Sequence, residues 1–148
     1  AIAAFSNMKA LTKKYNDNPT AGSRPFDNDR DGFVIAEGAA VLILESARHA
    51  QARGAKPYAE VLGYGDSADS YHLVQPEAEA TGAARAIRQS LVMTGIDPAA
   101  VAGKLYVNAH GTSTKLNDAA ESKALRSVFG EAASKLQVGS TKSMTGHL

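Results

Sequence analysis

The chain has 148 residues, of which 44% are hydrophobic and 21% charged, and a formal net charge of +1. This composition is ordinary for a globular protein, and it argues against disorder and against nucleic-acid binding. The longest apolar run, residues 39–44, is too short to cross a bilayer, which needs about 20 residues. Without cysteine, the chain has no disulfides and no thiolate metal site. We therefore expect a cytoplasmic protein that binds neither nucleic acid nor membrane.

The first 57 residues mix short apolar runs with a turn-rich loop. Apolar residues at spacing three predict a helix at the start, and Asn-Pro and Arg-Pro steps disfavour helix in the loop that follows. Four charged residues lie in or just after this loop, and we interpret them as ion pairs that fix it: Arg24, Asp27, Arg30 and Asp31. The predicted elements are a helix within 1–14, a loop over 16–28, a strand at 33–35, a strand at 40–44 that is buried on both faces, and a helix over 45–53.

The remaining residues alternate strand and helix patterns. The predicted elements are a strand at 58–65, a polar segment at 66–80, a helix at 81–94, a strand at 105–108, a helix that ends at 129 and a strand at 136–138. A capping box formed by Asp118 and Glu121 would begin the second helix. His49 is expected to face solvent, and His72 is either an exposed loop residue or part of the entrance to a site. The alternation predicts an α/β fold with a parallel or mixed sheet.

Two polar blocks follow predicted strands directly. Residues 108–114 read Asn-Ala-His-Gly-Thr-Ser-Thr, and residues 140–147 read Ser-Thr-Lys-Ser-Met-Thr-Gly-His. Open α/β sheets collect their reacting groups beyond the carboxyl ends of the strands. His110, His147 and Lys142 could therefore meet in one pocket, surrounded by small hydroxyl residues that donate hydrogen bonds to a bound polar chain.

These blocks resemble the β-ketoacyl-acyl-carrier-protein synthases, most closely the elongating synthase II type. Ser-Arg-Pro-Phe-Asp at 23–27, Arg-Asp-Gly-Phe-Val at 30–34 and Asn-Asp-Ala-Ala-Glu at 117–121 extend the resemblance along the whole chain. It implies the thiolase-like layered α/β/α/β/α fold, of which this chain would hold the end of the first half (residues 1–57) and the beginning of the second (residues 58–148).

The resemblance also implies an activity. It is the decarboxylative Claisen condensation of an acyl-enzyme thioester with malonyl-acyl carrier protein, which gives 3-oxoacyl-acyl carrier protein. His110, His147 and Lys142 match the catalytic residues, and Thr112 and Thr114 match threonines that bind the pantetheine arm. By the same resemblance, Phe5 matches a residue that lines the acyl-chain pocket, and Lys9 matches a basic residue of the surface that binds carrier protein. No cofactor is expected, because the substrates are carried on the phosphopantetheine arm of acyl carrier protein, in its acyl and malonyl forms.

The family uses a cysteine nucleophile, and this chain has none. We expect the chain to be an internal piece of a longer, homodimeric enzyme, with the cysteine upstream of residue 1, and to be inactive alone. Two alternatives remain open. One is a polyketide ketosynthase, although such enzymes tend to have His-Gly-Thr-Gly-Thr and Lys-Ser-Asn-Ile-Gly-His. The other is a non-catalytic chain-length-factor partner, which would have no need of both histidines and the lysine.

Overall fold

The structure is a computed structural model that describes all residues from 1 to 148. Its α-helices are α1 (Ile2–Asn7), α2 (Ala47–Ala52), α3 (Thr81–Thr94), α4 (Pro98–Val101), α5 (Lys115–Phe129) and α6 (Lys142–Thr145). Single strands are formed by β1 (Tyr106–Asn108) and β2 (Gln137–Gly139). Short 3₁₀ helices lie at Pro19–Ala21, Ala102–Lys104 and Gly130–Lys135. None of the helices is long and apolar enough to cross a membrane.

The two strands form a parallel pair, with Val107 opposite Val138 and Asn108 opposite Gly139. Parallel strands require a crossover connection, and α5 provides it. Both strands lie within one residue of their predicted bounds. Because the strands run in the same direction, the chain leaves both of them at the same edge of the sheet. The two histidine blocks therefore begin side by side.

Helix α3 has the bounds predicted from the sequence, and it packs against α5. Gly95 follows α3 with a φ of +66°, a conformation in which glycine avoids the steric cost that other residues meet. Ala84 and Ala124 are each 1% exposed at the centre of this contact. Because alanine side chains are short, the two helices can approach closely. The buried cluster consists of Ala80, Ala84, Ala120 and Ala124.

A second cluster lies between α5 and the two strands. Leu125 and Phe129 from α5 are buried there together with Ala102. Ile87 and Leu91 from α3, four residues apart and therefore on one face of the helix, pack against the cluster. Leu105, Val107, Val128 and Leu136 complete its surroundings. This core fixes the position of the β1–α5–β2 unit, and therefore the position of both histidine blocks.

The predicted helix within residues 1–14 is shorter than expected, since α1 ends at Asn7. Lys9 has a φ of +55°, which lies outside the right-handed helical region, so the chain cannot continue as a helix. Leu11 instead forms an isolated parallel bridge with Phe33, and Ile35 forms another with His147. The predicted strand at 33–35 is therefore extended chain that makes single bridges.

The predictions of strands at residues 40–44 and 58–65 are wrong for this chain, because neither segment forms a ladder. From Val41 to Leu44 the side chains are 79–87% exposed, instead of buried on both faces. A strand forms only beside another backbone that pairs with it, and no strand of this chain pairs with either segment; Gly63 and Gly65 lie against helix α3 instead. Only 19 of the 148 residues are buried, so much of the apolar side-chain surface is uncovered. The helix predicted at 45–53 is confirmed as α2, and Ser46 caps it by accepting a hydrogen bond from the His49 N–H.

Candidate active site

The two histidine blocks are joined by hydrogen bonds directly beyond the strand ends. The Ala109 N–H donates to the Gly139 carbonyl at 2.8 Å. The Thr141 N–H donates to the Asn108 side-chain oxygen at 3.1 Å. The Ser140 hydroxyl donates to the His110 carbonyl at 3.2 Å. The parallel strand pair and these bonds therefore bring together two blocks that lie about thirty residues apart in the sequence.

Four aromatic rings form a continuous row. The His110 and His147 rings lie 5.4 Å apart, centre to centre, and are nearly perpendicular at 89°. Phe33 lies 5.1 Å from His147, and Phe5 lies 5.3 Å from Phe33. His147 is held beside Phe33 because its N–H donates to the Val34 carbonyl at 2.7 Å. The sequence predicted that the histidines and Phe5 belong to one site, but it gave no role to the buried Phe33, which separates them.

A cavity of about 760 Å³ opens along this row of rings. Six of the seven residues predicted to form the site line it: Phe5, Lys9, His110, Thr112, Thr114 and His147. His72 also lines the cavity and is exposed, so it has both of the positions considered for it from the sequence. Its Nδ1 accepts hydrogen bonds from the N–H groups of Val74 and Gln75, each at 3.1 Å. A neutral His72 therefore carries its proton on Nε2.

Lys142, the seventh predicted residue, does not line the cavity, but its charge affects His110, which does. It begins α6 directly after the second strand block. The Lys142 ammonium is among the charges that lower the pKa of His110. Its backbone carbonyl accepts a hydrogen bond from the Ser23 hydroxyl at 2.5 Å. The lysine therefore acts on His110 through its charge.

The capping box predicted for Asp118 and Glu121 is wrong. Helix α5 begins four residues earlier than that box requires, and Thr114 is its N-cap, whose hydroxyl accepts a hydrogen bond from the Asn117 N–H at 3.3 Å. The Thr114 hydroxyl also lies 3.0 Å from the hydroxyl of Thr112. Both threonines face the cavity, but the hydroxyl of Thr114 is already engaged by the helix end.

Glu121 instead holds the His110 loop. Its carboxylate accepts hydrogen bonds from the N–H groups of His110 and Gly111, each at 2.7 Å. The Asn117 side-chain amide donates to the same carboxylate at 2.7 Å. Hydrogen bonds to an ionised acceptor are shorter and stronger than neutral ones, so this carboxylate fixes the backbone on both sides of the His110 Cα. The acidic pair just after the histidine block was visible in the sequence, but its spacing suggested only a helix cap.

Asp118 is 1% exposed and binds the loop at residues 23–30 to the site. Its carboxylate accepts from the Phe26 N–H at 2.8 Å and lies 3.3 Å from the Arg30 guanidinium. Of the ion pairs predicted within that loop, Arg24 with Asp27 is confirmed at 3.1 Å. Arg30 pairs outside the loop. Asp31 accepts hydrogen bonds from the hydroxyl of Thr12 and the N–H groups of Lys13 and Lys14, so it makes no ion pair with the loop arginines.

The pKa of His110 lies below the ordinary imidazole value, chiefly because protein atoms around the ring withdraw it from water. The positive charge of Lys142 is the next cause. The residue as a whole remains open to the cavity. His110 is therefore a neutral N–H donor at neutral pH. Since the unfolded chain binds this proton more readily, the stability contribution is complete above pH 6.5 and decreases as the pH falls below that value.

We predict that Lys142→Met raises the pKa of His110 toward 6.5, because a neighbouring cation no longer opposes protonation. The measurement is an NMR pH titration of the histidine ring protons in the full-length protein. Lys135→Met, which removes an exposed lysine at the far end of the α5–β2 connection, is the control and leaves the titration unchanged. An identical His110 titration in both variants would show that Lys142 does not act on the imidazole.

Comparison with known proteins assigns the chain to a class. Residues 1–50 match the N-terminal domain of β-ketoacyl synthases, and residues 58–148 match the C-terminal domain. The chain therefore belongs to the β-ketoacyl synthase family. It is 51% identical, over all of its 148 residues, to 3-oxoacyl-[acyl-carrier-protein] synthase 2 of Staphylococcus aureus. It is 48% identical over 150 residues to the mitochondrial 3-oxoacyl-[acyl-carrier-protein] synthase of Arabidopsis thaliana.

The chain spans about a third of the length of these relatives: 36% of the bacterial protein and 32% of the plant protein. A solved structure with the same fold is a type II polyketide acyl-carrier protein in complex with its ketosynthase bound to the hexaketide. The match has a TM-score of 0.92 and 44% identity, and covers 99% of this chain and 35% of that chain. The predicted resemblance and the thiolase-like α/β fold are both confirmed.

Proposed function

We propose that the full-length protein is a condensing enzyme of fatty-acid synthesis. It would join an acyl group held as an enzyme thioester to malonyl-acyl carrier protein, releasing carbon dioxide and forming 3-oxoacyl-acyl carrier protein. The observation that carries the proposal is the pair of imidazoles, 5.4 Å apart, at the ends of two parallel strands. The names of the similar proteins from Staphylococcus aureus and Arabidopsis thaliana support it.

The two imidazoles suit the decarboxylation step. As carbon dioxide leaves the malonyl group, the electron pair of the broken C–C bond moves toward the thioester, and negative charge develops on the thioester oxygen. Two neutral N–H donors aimed at that oxygen stabilise it, and each contributes about 3 kcal/mol in comparable sites. The lowered pKa of His110 keeps that ring in the neutral donor form. The resulting carbanion would then attack the acyl thioester and expel the cysteine thiolate.

The other cavity residues fit the arrival of substrate on a carrier protein. We propose that Thr112 and Thr114 bind the phosphopantetheine arm. Their hydroxyl oxygens lie 3.0 Å apart, so one hydroxyl donates to the other and the second keeps its proton for the arm. Phe5 would contact the acyl chain at one end of the ring row. Lys9 is exposed and lines the same cavity, where its charge would attract an acidic carrier protein.

Several further features belong to the same proposal. A boundary between the two halves of the fold would lie between residues 57 and 58, in the segment that joins the two matched domains. The full-length enzyme would be a cytoplasmic homodimer, and its nucleophile would be a cysteine outside this chain. No bound cofactor would take part, because the reacting groups come from the carrier protein and from the enzyme's own side chains.

The experiment uses the full-length protein with acyl-acyl carrier protein and radiolabelled malonyl-acyl carrier protein. We expect release of labelled carbon dioxide together with a 3-oxoacyl-acyl carrier protein product detected by mass spectrometry. A control with the carrier protein's phosphopantetheine removed should give neither product. If carbon dioxide is not released when both substrates are present, the proposed condensing activity is wrong.

A polyketide ketosynthase is the second candidate, because a ketosynthase of that class matches with a TM-score of 0.92. The two candidates share the decarboxylation step and differ in the acyl group that is extended. Saturated acyl groups as the preferred substrate would support the fatty-acid function, and poly-β-keto chains would support the polyketide function. If the natural full-length sequence has a residue other than cysteine at the nucleophile position, the protein would be a chain-length-factor partner instead.

A further inference from the structure

The loop at residues 23–30, which we call the bracing loop, contacts both histidine blocks. Near its start, the Ser23 hydroxyl donates to the Lys142 carbonyl at 2.5 Å. The next residue, Arg24, donates its N–H to the Ser113 hydroxyl at 3.0 Å. Two adjacent residues of one loop are therefore bonded to the two blocks that β1 and β2 deliver to the site. The mechanism proposed above assigns no role to these contacts.

Ser113 is held in an unfavourable backbone conformation. Its φ is +68°, in the left-handed region that glycine occupies readily and other residues do not. Its exposure is 0%, and its carbonyl accepts a hydrogen bond from the Gly32 N–H at 3.0 Å. Gly32 precedes Phe33, the ring that lies against His147. Any residue other than glycine is strained at this position. Compared with glycine, serine adds the hydroxyl that accepts the hydrogen bond from the Arg24 N–H.

We propose that the hydroxyls of Ser23 and Ser113 are positioning groups that set His110 in register with Lys142 and His147 through the bracing loop. The inference rests on the proposed function, because the distances it controls matter only if the two imidazoles act together. Neither hydroxyl lines the cavity, so neither touches substrate. Their effect on the reaction passes through the backbone of the two blocks.

The fold does not depend on these two bonds alone. Asp118 accepts the Phe26 N–H, and the Arg30 guanidinium donates to the carbonyls of Thr114 and Lys115 at 3.1 and 3.0 Å. These contacts keep the bracing loop against α5 when a serine hydroxyl is removed. The expected consequence is a loss of alignment within the site while the folded structure persists.

The experiment compares Ser113→Gly and Ser23→Ala in the full-length protein. Glycine adopts a φ of +68° without strain, so Ser113→Gly removes the CH2OH group while the relief of backbone strain offsets the lost hydrogen bond. We expect each variant to lower kcat for malonyl decarboxylation about tenfold, with KM and Tm unchanged, and we expect Ser23→Thr to restore kcat. Ser127→Ala is the matched control, because it removes a serine hydroxyl that accepts a bond from Arg88 on the distant α3–α5 surface.

A second readout needs no substrate. The NMR titration of His110 should move in Ser113→Gly and Ser23→Ala and should not move in Ser127→Ala, because its surroundings change only in the first two. Wild-type kcat together with an unmoved titration in both bracing variants would overturn the positioning role. A fall in kcat that only follows a fall in Tm would also overturn it. If the unmodified protein releases no carbon dioxide but the titration moves, the proposed function fails and the positioning role survives.

Discussion

His110→Ala in the full-length protein is expected to lower malonyl decarboxylation by at least about 100-fold while cysteine acylation continues at close to the normal rate. The reason is that, in the proposed mechanism, the imidazole N–H stabilises negative charge that appears only when carbon dioxide leaves. Removal of one such donor costs about 10²–10³ in kcat in other enzymes. His147 lies 5.4 Å away, at right angles to His110, and cannot supply both hydrogen bonds. The measurement is carbon dioxide release, alongside transfer of label from acyl-acyl carrier protein to the enzyme.

His49→Ala is the matched control for this prediction. His49 lies on α2 outside the cavity, and its imidazole lies 2.8 Å from the Glu45 carboxylate at the exposed surface. This variant should retain both partial reactions. Loss of acylation with decarboxylation preserved in His110→Ala would contradict the role assigned to His110. It would point instead to an imidazole that serves the nucleophile.

Gly111→Ala is expected to destabilise the folded protein by about 2–5 kcal/mol and to abolish condensation. Gly111 has a φ of +46°, and a left-handed conformation costs a residue with a Cβ about 1–2 kcal/mol. The added Cβ would also lie 2.4 Å from the Ser140 Cβ, which forces the two histidine blocks apart. Overpacking of this kind costs about 1–3 kcal/mol. Denaturant unfolding of the full-length protein measures the change.

Gly95→Ala separates the two causes. Gly95 has a φ of +66° at the end of α3, but an added Cβ would meet no atom within 4 Å. It should therefore show the backbone cost without the clash, and it should leave the site intact. Equal loss of stability in the two variants would show that Ser140 does not restrict the His110 loop. If Gly111→Ala lost no more stability than Gly95→Ala and also kept full activity, the close contact between the two histidine blocks described above would be contradicted.

The contacts around His110 explain why substitutions in the His110 loop are expected to have large effects. Glu121 binds the backbone N–H groups of His110 and Gly111, and Ser140 binds the His110 carbonyl. Three hydrogen bonds thus fix the backbone from which the imidazole projects. A displacement of about 1 Å in a catalytic group can cost 10²-fold in rate, so the proposed mechanism requires a rigid loop.

Local sequence patterns determined much of the unit that carries the site. Apolar positions at helical spacing and Gly95 defined α3, and short apolar runs before each histidine block located β1 and β2. These signals are local, since a helix makes its hydrogen bonds within its own segment and a glycine after it satisfies the last turn. The order of strand and histidine also predicted that both imidazoles would reach one edge of a sheet, and the ring distance agrees.

Long-range contacts decided the rest. Nothing near Glu121 in the sequence indicates that its carboxylate holds the His110 loop, and nothing near Phe33 indicates that its ring lies between Phe5 and His147. The apolar run at 40–44 predicted a buried strand, but a strand depends on a neighbour supplied by another part of the chain, and here none lies beside it. The sequence thus determined the elements whose hydrogen bonds are local and the residue types of the site. Only the tertiary structure decided which side chains orient those residues. The two partners of such a contact lie up to 119 positions apart in the sequence.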